Sequence, residues 1–195
     1  NAILYNSATP HFVDSETEHF GVCPKKLEEY LKKTTYIKKN KCINRKTKKV
    51  IRVLIVVHIF GHPAQIKSLV SIAKKFKIKV LEDAAGGLGS KFNKKHVGTF
   101  GDIGVLSFNG NKIITTGMGG AIITNNQKFA KKSKHFVSVS KIYHKWEFKF
   151  NEIGHNYRLP NLNAMLGISQ MGKLKKYLNH KKKLYKRLKD LTKNE

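Results

Sequence analysis

The sequence predicts an α/β domain built on a mainly parallel β-sheet flanked by helices. A continuous run rich in β-branched residues at 53–60 is typical of a strand buried on both faces. Apolar residues at helical spacing follow from Gln65 to Phe76, and Lys79-Val80-Leu81-Glu82 is predicted as the next strand. Strand, helix and strand in this order indicate one βαβ unit of a parallel sheet.

Shorter elements are predicted ahead of this unit. The apolar run Ala2–Tyr5 is expected to be a short strand, and Phe12–Val13 a second extended piece. The segment Pro24–Leu31 is expected to be a helix, with proline near its first turn. The polar, lysine-rich stretch Lys38–Lys49 is expected to be a surface loop.

Strand and helix patterns continue to alternate after the βαβ unit. Strands are predicted at Ile103–Phe108 and Ala121–Thr124, and a helix at Gln127–His135. A single long helix with a very basic exposed face is predicted from Leu162 to Leu191. In α/β sheets of this kind the ligand lies beyond the carboxyl ends of the strands.

The net charge of +27, from 39 basic and 12 acidic residues, is what a nucleic-acid-binding protein would show. Only four of the basic residues are arginines, the usual choice for bidentate contacts with phosphates and bases. The lysines are scattered through every segment, without one stripe of interleaved aromatic residues. The excess therefore resembles a compositional bias, and a lysine-rich nucleic-acid-binding protein stays an alternative.

Membrane and metal-dependent classes are disfavoured by the composition. No apolar run approaches the ~18 residues that a membrane span needs, and no signal peptide is expected at the N-terminus. The two cysteines, Cys23 and Cys42, form no CxxC motif, and the nine histidines include no HExxH motif. We expect no metal site, and a reducing cytoplasm as the compartment.

Three segments at strand ends contain residue types that a hydrophobic sheet does not otherwise need: 82–90, 107–112 and 115–120. The first carries Asp83 before a run of small residues, and the second places Ser107 and Lys112 after the next strand. The third is rich in glycine, which lets the backbone approach a bound group.

This combination matches the needs of pyridoxal phosphate chemistry. A carboxylate keeps the ring nitrogen protonated so that the ring acts as an electron sink. A lysine amine forms the internal Schiff base and can later move a proton between two carbon atoms. Hydroxyl and backbone donors hold the phosphate. By type alone Lys112 could be a solvated lysine, Asp83 a helix N-cap and Ser107 a turn residue.

The order of these motifs is similar to the signature of the DegT-type (DegT/StrS) sugar aminotransferases. The residues that carry the resemblance are Asp83-Ala84-Ala85, Ser107-Phe108, Lys112, Thr116-Gly117, Gly119-Gly120 and Gly154-His155-Asn156-Tyr157-Arg158. The resemblance runs over nearly the whole chain. The detailed motif residues look closest to those of the branch acting on UDP-linked 4-keto-6-deoxy amino sugars of the legionaminic acid or bacillosamine type. It implies the fold-type I aminotransferase large domain, in incomplete form.

The resemblance also implies a role for each motif residue. Lys112 would bear the Schiff base, Asp83 would pair with the pyridine nitrogen, and Ala85 would pack on one face of the ring. Ser107 would contact the phosphate, and Asn156 would reach the phosphate of a neighbouring subunit in a homodimer with shared active sites. The implied reaction is transamination of a nucleotide-linked keto sugar with glutamate as amino donor, in the biosynthesis of surface glycans.

The chain begins at Asn1 rather than Met, directly in an apolar run, which predicts a central fragment. The resemblance assigns residues 1–160 to the central part of the cofactor-binding large domain. Residues 161–195 would be a long basic helix leading towards a C-terminal small domain. The chain alone is then expected to bind the cofactor poorly and to show little turnover. A non-catalytic truncated remnant of such an enzyme is therefore a further alternative.

Overall fold

The computed structural model describes residues 1–192, and its first element is a single helical turn, α1 (Ala2–Tyr5). The strand predicted there is wrong, because local hydrogen bonds close the turn, including one from the Asn6 side-chain amide to the Ala2 carbonyl at 2.8 Å. No strand forms at Phe12–Val13, where Phe12 is 90% exposed. The first pairing nearby is a single bridge between Ser15 and Val22.

The predicted helix at Pro24–Leu31 is confirmed as α2 (Pro24–Thr34), which is three residues longer. An antiparallel three-stranded sheet follows, formed by β1 (Thr35–Lys38), β2 (Lys41–Asn44) and β3 (Val50–Ile51).

The surface loop predicted at Lys38–Lys49 is therefore wrong over part of its length. Lys39 and Asn40 both have positive φ, at 47° and 58°, as a two-residue turn of type I′ requires. This turn lets the chain double back and bury Cys42 completely.

The predicted βαβ unit is confirmed. It consists of β4 (Val53–Val57), α3 (Ile66–Lys75) and β5 (Lys79–Asp83), with a 3₁₀ turn at Ile59–Gly61. The two strands pair in parallel, from Val53 opposite Lys79 to Val57 opposite Asp83.

Two more strands complete the central sheet. A small hairpin of β6 (Lys91–Phe92) and β7 (Lys95–His96) precedes β8 (Ile103–Ser107) and β9 (Gly120–Ile123). The strand order is β4-β5-β8-β9, with β8 parallel to β5 and β9 antiparallel to β8. The sheet is mainly parallel, as predicted.

One face of the central sheet carries the core. Val56 and Val80 point to this face and are buried against α3, which contributes Leu69. On the opposite face Val53 and Ile55 are 48% and 38% exposed. The prediction that this strand is buried on both faces is therefore wrong, because within residues 1–192 only the face towards α3 is well covered.

The chain continues through α4 (Gln127–Phe136), a short hairpin of β10 (Lys141–Ile142) and β11 (Lys149–Phe150), α5 (Asn161–Met171) and α6 (Leu174–Leu191). The single long helix predicted at Leu162–Leu191 is wrong. It is broken after Gly172, a poor helix former, where the Lys173 N–H bonds to the carbonyl three residues earlier, Gln170, at 2.9 Å. The end of the predicted 161–195 segment, residues 193–195, lies outside the described residues.

Within residues 1–192, no helix has both the length and the apolar character needed to cross a bilayer.

Candidate cofactor site

Two of the predicted site residues stand at the carboxyl edge of the central sheet. Asp83 is the last residue of β5 and lies opposite Val105 of β8, and Ser107 ends β8 two residues later. Side chains two apart on a strand share a face, so Asp83 and Ser107 lie on the same face of the sheet. This is the face opposite the core.

The Asp83 side chain is half-buried and held by its own turn. Its Oδ1 accepts the Ala85 N–H at 3.0 Å, which fixes the carboxylate over the start of the following loop. Its backbone carbonyl accepts the His58 N–H at 3.0 Å. Oδ2 makes no hydrogen bond to any part of residues 1–192, so one carboxylate oxygen can accept a bond from a ligand.

The loop after Asp83 is packed closely against the end of β4. Gly61 has φ +84°, and a Cβ added there would stand 2.5 Å from the Gly86 carbonyl oxygen. Gly86 is also close-packed, though less so, since its own added Cβ would stand 3.2 Å from the Gly61 nitrogen. The two glycines let the backbones that carry His58 and Asp83 touch.

Gly61→Ala is expected to lower the free energy of unfolding by about 3 kcal/mol, because it combines a backbone clash with a left-handed conformation. Chemical denaturation measures the loss. Gly110→Ala is the matched control: no atom lies within 4 Å of an added Cβ there, and a change of about 0.5 kcal/mol or less is expected. Equal effects of the two substitutions would contradict the close approach.

Lys112 lies in the loop that joins β8 to β9. The loop is closed by backbone hydrogen bonds from Thr116 N–H to the Phe108 carbonyl and from Phe108 N–H to the Gly119 carbonyl, both 2.9 Å. Ile114, two residues after the lysine, is 1% exposed and anchors the loop. Lys112 itself is half-buried, and its ammonium group forms no ion pair with any described residue.

Helix α5, which lies outside the sheet, holds the loop that carries Lys112 through two side-chain hydrogen bonds. The Asn163 side-chain amide donates to the Thr116 carbonyl at 2.6 Å, and the Gln170 Oε1 accepts the Thr115 N–H at 2.9 Å. Both bonds hold backbone groups just beyond Lys112, so the loop position depends on this helix.

Asn156 has different neighbours. It forms an isolated bridge with Ser138, just beyond the end of α4, and it is exposed. With Arg158 and Pro160 it lines a shallow cleft of about 530 Å³. The structure thus places Asp83, Ala85 and Ser107 at the sheet edge, Lys112 in the adjoining loop, and Asn156 in the segment that leads into α5.

A buried acid–histidine pair next to the edge has no role in the sequence-based prediction. Glu82 and His58 are both fully buried, and the His58 Nε2 lies 3.0 Å from the Glu82 Oε2. Burial alone raises the pKa of the Glu82 carboxyl, but the bonds from His58 and three backbone N–H groups outweigh it and hold this pKa below 4.5. The alternation of Val56 with His58 and of Val80 with Glu82 could have predicted that both side chains face the core.

The sequence pattern of the DegT/DnrJ/EryC1/StrS aminotransferase family matches residues 1–194. The chain is 36% identical over 184 residues to the GDP-perosamine synthase of Escherichia coli O157:H7, covering 94% of this chain and 46% of that protein. It is 32% identical over 175 residues to the UDP-4-amino-4,6-dideoxy-N-acetyl-beta-L-altrosamine transaminase of Campylobacter jejuni, covering 89% and 43%.

Among solved structures, Helicobacter pylori PseC, an aminotransferase involved in the biosynthesis of pseudoaminic acid, is similar with a TM-score of 0.75 and 29% identity. The match covers 88% of this chain and 42% of that one. The fold is thus that of the fold-type I aminotransferases, in part. The chain spans less than half the length of the curated relatives that it matches.

Proposed function

The chain belongs to the DegT/DnrJ/EryC1/StrS aminotransferase family, whose members depend on pyridoxal phosphate, and on that premise we propose that it transfers an amino group to a nucleotide-linked keto sugar. The observation that carries the proposal is the common edge of Asp83 and Ser107, with the Lys112 loop leaving the same strand end.

The residues at this edge fit the cofactor. Asp83 has one oxygen tied to the Ala85 N–H and one oxygen open, which suits a single bond from a protonated ring nitrogen. The Ser107 Oγ accepts the Asn109 N–H at 3.3 Å, so its hydroxyl hydrogen can be donated to a phosphate. Lys112 is half-buried, free of ion pairs among residues 1–192, and therefore available for covalent attachment.

When bound, pyridoxal phosphate would supply an electron sink for the reaction. Asp83 would accept the hydrogen bond of the ring N–H and hold that proton in place, and Ala85 would pack against one ring face. Ser107 would donate to the phosphate. Lys112 would hold the cofactor, and its Nζ, when free, would take the proton from the α-carbon of the amino donor, for which we propose glutamate.

For the acceptor we propose a UDP-linked 4-keto-6-deoxy-N-acetylhexosamine used in a surface glycan. The altrosamine transaminases of Campylobacter jejuni and Helicobacter pylori, 32% and 36% identical to this chain, support a UDP-linked sugar. The GDP-perosamine synthases point to a GDP-linked sugar instead. Parallel assays with UDP- and GDP-linked 4-keto sugars decide between them, and preference for the GDP form would overturn the UDP assignment.

We also propose a homodimer in which Asn156 reaches the phosphate site of the partner subunit. Its exposure in the cleft that it lines with Arg158 and Pro160 supports a role towards another chain. Both cysteines are unpaired, which agrees with the reducing cytoplasm as the proposed compartment. Sedimentation with and without cofactor tests the dimer, and a monomer under both conditions would contradict it.

Borohydride reduction in the presence of pyridoxal phosphate is expected to label Lys112 in strong preference to the chain's other lysines. Lys112 is half-buried and its amine forms no ion pair within residues 1–192, whereas most of the other lysines are exposed. Peptide mass spectrometry of the reduced protein locates the label. Trapping makes the test usable even where binding is weak.

The matched control is Lys67→Ala, which removes an exposed lysine from α3 and should leave the labelling pattern unchanged. Label spread over many lysines would refute the assignment and favour a non-catalytic remnant. Salt-dependent DNA or RNA binding that is indifferent to Lys112→Ala, without specific labelling, would favour the nucleic-acid alternative.

A further inference from the structure

The Glu82 carboxylate uses all of its hydrogen-bonding capacity. A carboxylate has about four acceptor positions. The Oε1 atom accepts the backbone N–H groups of Phe100 and Gly101, both at 2.6 Å. The Oε2 atom accepts the Gly98 N–H at 2.7 Å and the His58 ring at 3.0 Å. This buried acid therefore joins the end of β4, the end of β5 and the loop that leads to β8.

His58 completes the arrangement as a neutral ring. Its Nδ1 lies 3.1 Å from the Ala64 nitrogen and accepts that N–H, so the ring hydrogen sits on Nε2 and is donated to Glu82. The backbone N–H of the same residue donates to the Asp83 carbonyl at 3.0 Å. His58 therefore holds two consecutive residues of β5, one through its ring and the other through its backbone.

We propose that Glu82 and His58 are positioning residues for Asp83, the residue assigned above to the cofactor ring. Adjacent residues of a strand point to opposite faces, so Glu82 faces the core while Asp83 faces the ligand side. The two share a peptide unit, and a displacement of one carboxylate tilts the other. The pair keeps the Asp83 carboxylate on the Ala85 N–H and its second oxygen open. This inference rests on the proposed function for its purpose, but the contacts themselves do not depend on it.

The competing role is a purely local one, in which Glu82 only ties down residues 98–101. The two roles differ at Ala85, whose N–H bonds to the Asp83 carboxylate and to none of residues 98–101. A positioning role couples Glu82 and His58 to the Ala85 N–H, whereas a local anchor affects residues 98–101 alone.

Four variants separate the two roles. Glu82→Gln keeps the size of the side chain, but its amide group presents hydrogens to backbone donors. His58→Phe removes both ring bonds, and His58→Gln restores them, since its oxygen can accept the Ala64 N–H and its nitrogen can donate to Glu82. Glu147→Gln makes the same acid-to-amide change in an exposed acid that pairs with Lys149.

The measurement is amide hydrogen exchange in the 195-residue chain without cofactor. The Ala85 rate is divided by that of Leu69, whose N–H bonds to the Gln65 carbonyl in the buried helix α3 and reports general opening. The ratio is expected to rise about tenfold in Glu82→Gln and in His58→Phe, the effect of losing one hydrogen bond. It should stay within about threefold of the unsubstituted value in His58→Gln and be unchanged in Glu147→Gln.

An unchanged ratio at Ala85 with faster exchange at Gly98, Phe100 and Gly101 would overturn the proposal, and so would equal ratios in His58→Phe and His58→Gln. If Glu82→Gln does not fold, the two His58 variants decide. Borohydride labelling of Lys112 in the same variants keeps the two proposals apart. Absence of specific labelling in the unsubstituted chain refutes the proposed function, while the Ala85 ratios still judge the positioning role.

Discussion

Lys112→Ala is expected to lower the rate of the glutamate half-reaction by about three to four orders of magnitude. The substitution removes both the group that carries the cofactor and the amine that moves the proton, and proton transfer alone contributes about 10²- to 10⁴-fold. The measurement is the decay of the cofactor absorbance on addition of L-glutamate to protein saturated with pyridoxal phosphate. The expected loss is relative to the unsubstituted chain under the same conditions, at a protein concentration high enough to follow the slow half-reaction of the chain alone.

Lys67→Ala again serves as the control, and its rate should equal that of the unsubstituted chain, because Lys67 is exposed on α3. A small amine such as ethylamine should restore part of the rate in Lys112→Ala, since it can enter the vacated space and accept the proton. A rate that does not change in Lys112→Ala would remove this lysine from the mechanism, whatever the labelling pattern.

The parts of the fold that sequence predicted well are those in which one physical pattern dominates. The βαβ unit of β4, α3 and β5 combines an apolar strand, a helical repeat and a second strand within about 30 residues. The proposed site residues Asp83 and Ser107 end strands of this kind and Lys112 follows one, so their place near the carboxyl edge followed from the topology of parallel sheets.

The failures have equally definite causes. Ala2–Tyr5 is apolar enough for a strand, but it pairs with no strand within residues 1–192 and forms a helical turn instead. The hairpin around Cys42 depends on left-handed Lys39 and Asn40, a pair less typical of such turns than Asn-Gly. The break after Gly172 depends on one local hydrogen bond that the helical repeat does not reveal.

The Glu82–His58 pair shows why a site is harder to predict than a sheet. Asp83 and Glu82 are consecutive acids, and one of them had to be chosen for the ligand side. The strand period decides it, because Glu82 follows the buried Val80 by two residues and must share its face. The partners of the acid are mostly backbone N–H groups of residues 98–101, which no side-chain pattern identifies.

Glu82→Gln is expected to lower the free energy of unfolding by about 4 kcal/mol at pH 7, because a fully buried network loses acceptors for its donors. Chemical denaturation of the chain measures the loss. The exposed acid Glu147, changed to Gln in the same way, should cost about 0.5 kcal/mol or less. Equal losses for the two substitutions would mean that the buried bonds contribute nothing specific.

The destabilisation caused by Glu82→Gln should become smaller as the pH falls. The pKa of Glu82 lies below 4.5 in the folded chain, because hydrogen bonds from His58 and the backbone favour the carboxylate, and near 4.5 in the unfolded chain. The folded state therefore binds this proton less readily, and the stabilisation is present above about pH 4.5 and is lost as the pH falls through the folded pKa.

The difference in unfolding free energy between the unsubstituted chain and Glu82→Gln should accordingly be constant near neutral pH and narrow on acidification. Other acids titrate in both proteins and cancel in this difference. A difference that stays constant down to pH 3 would show that the amides of residues 98–101 do not depend on the charge of Glu82.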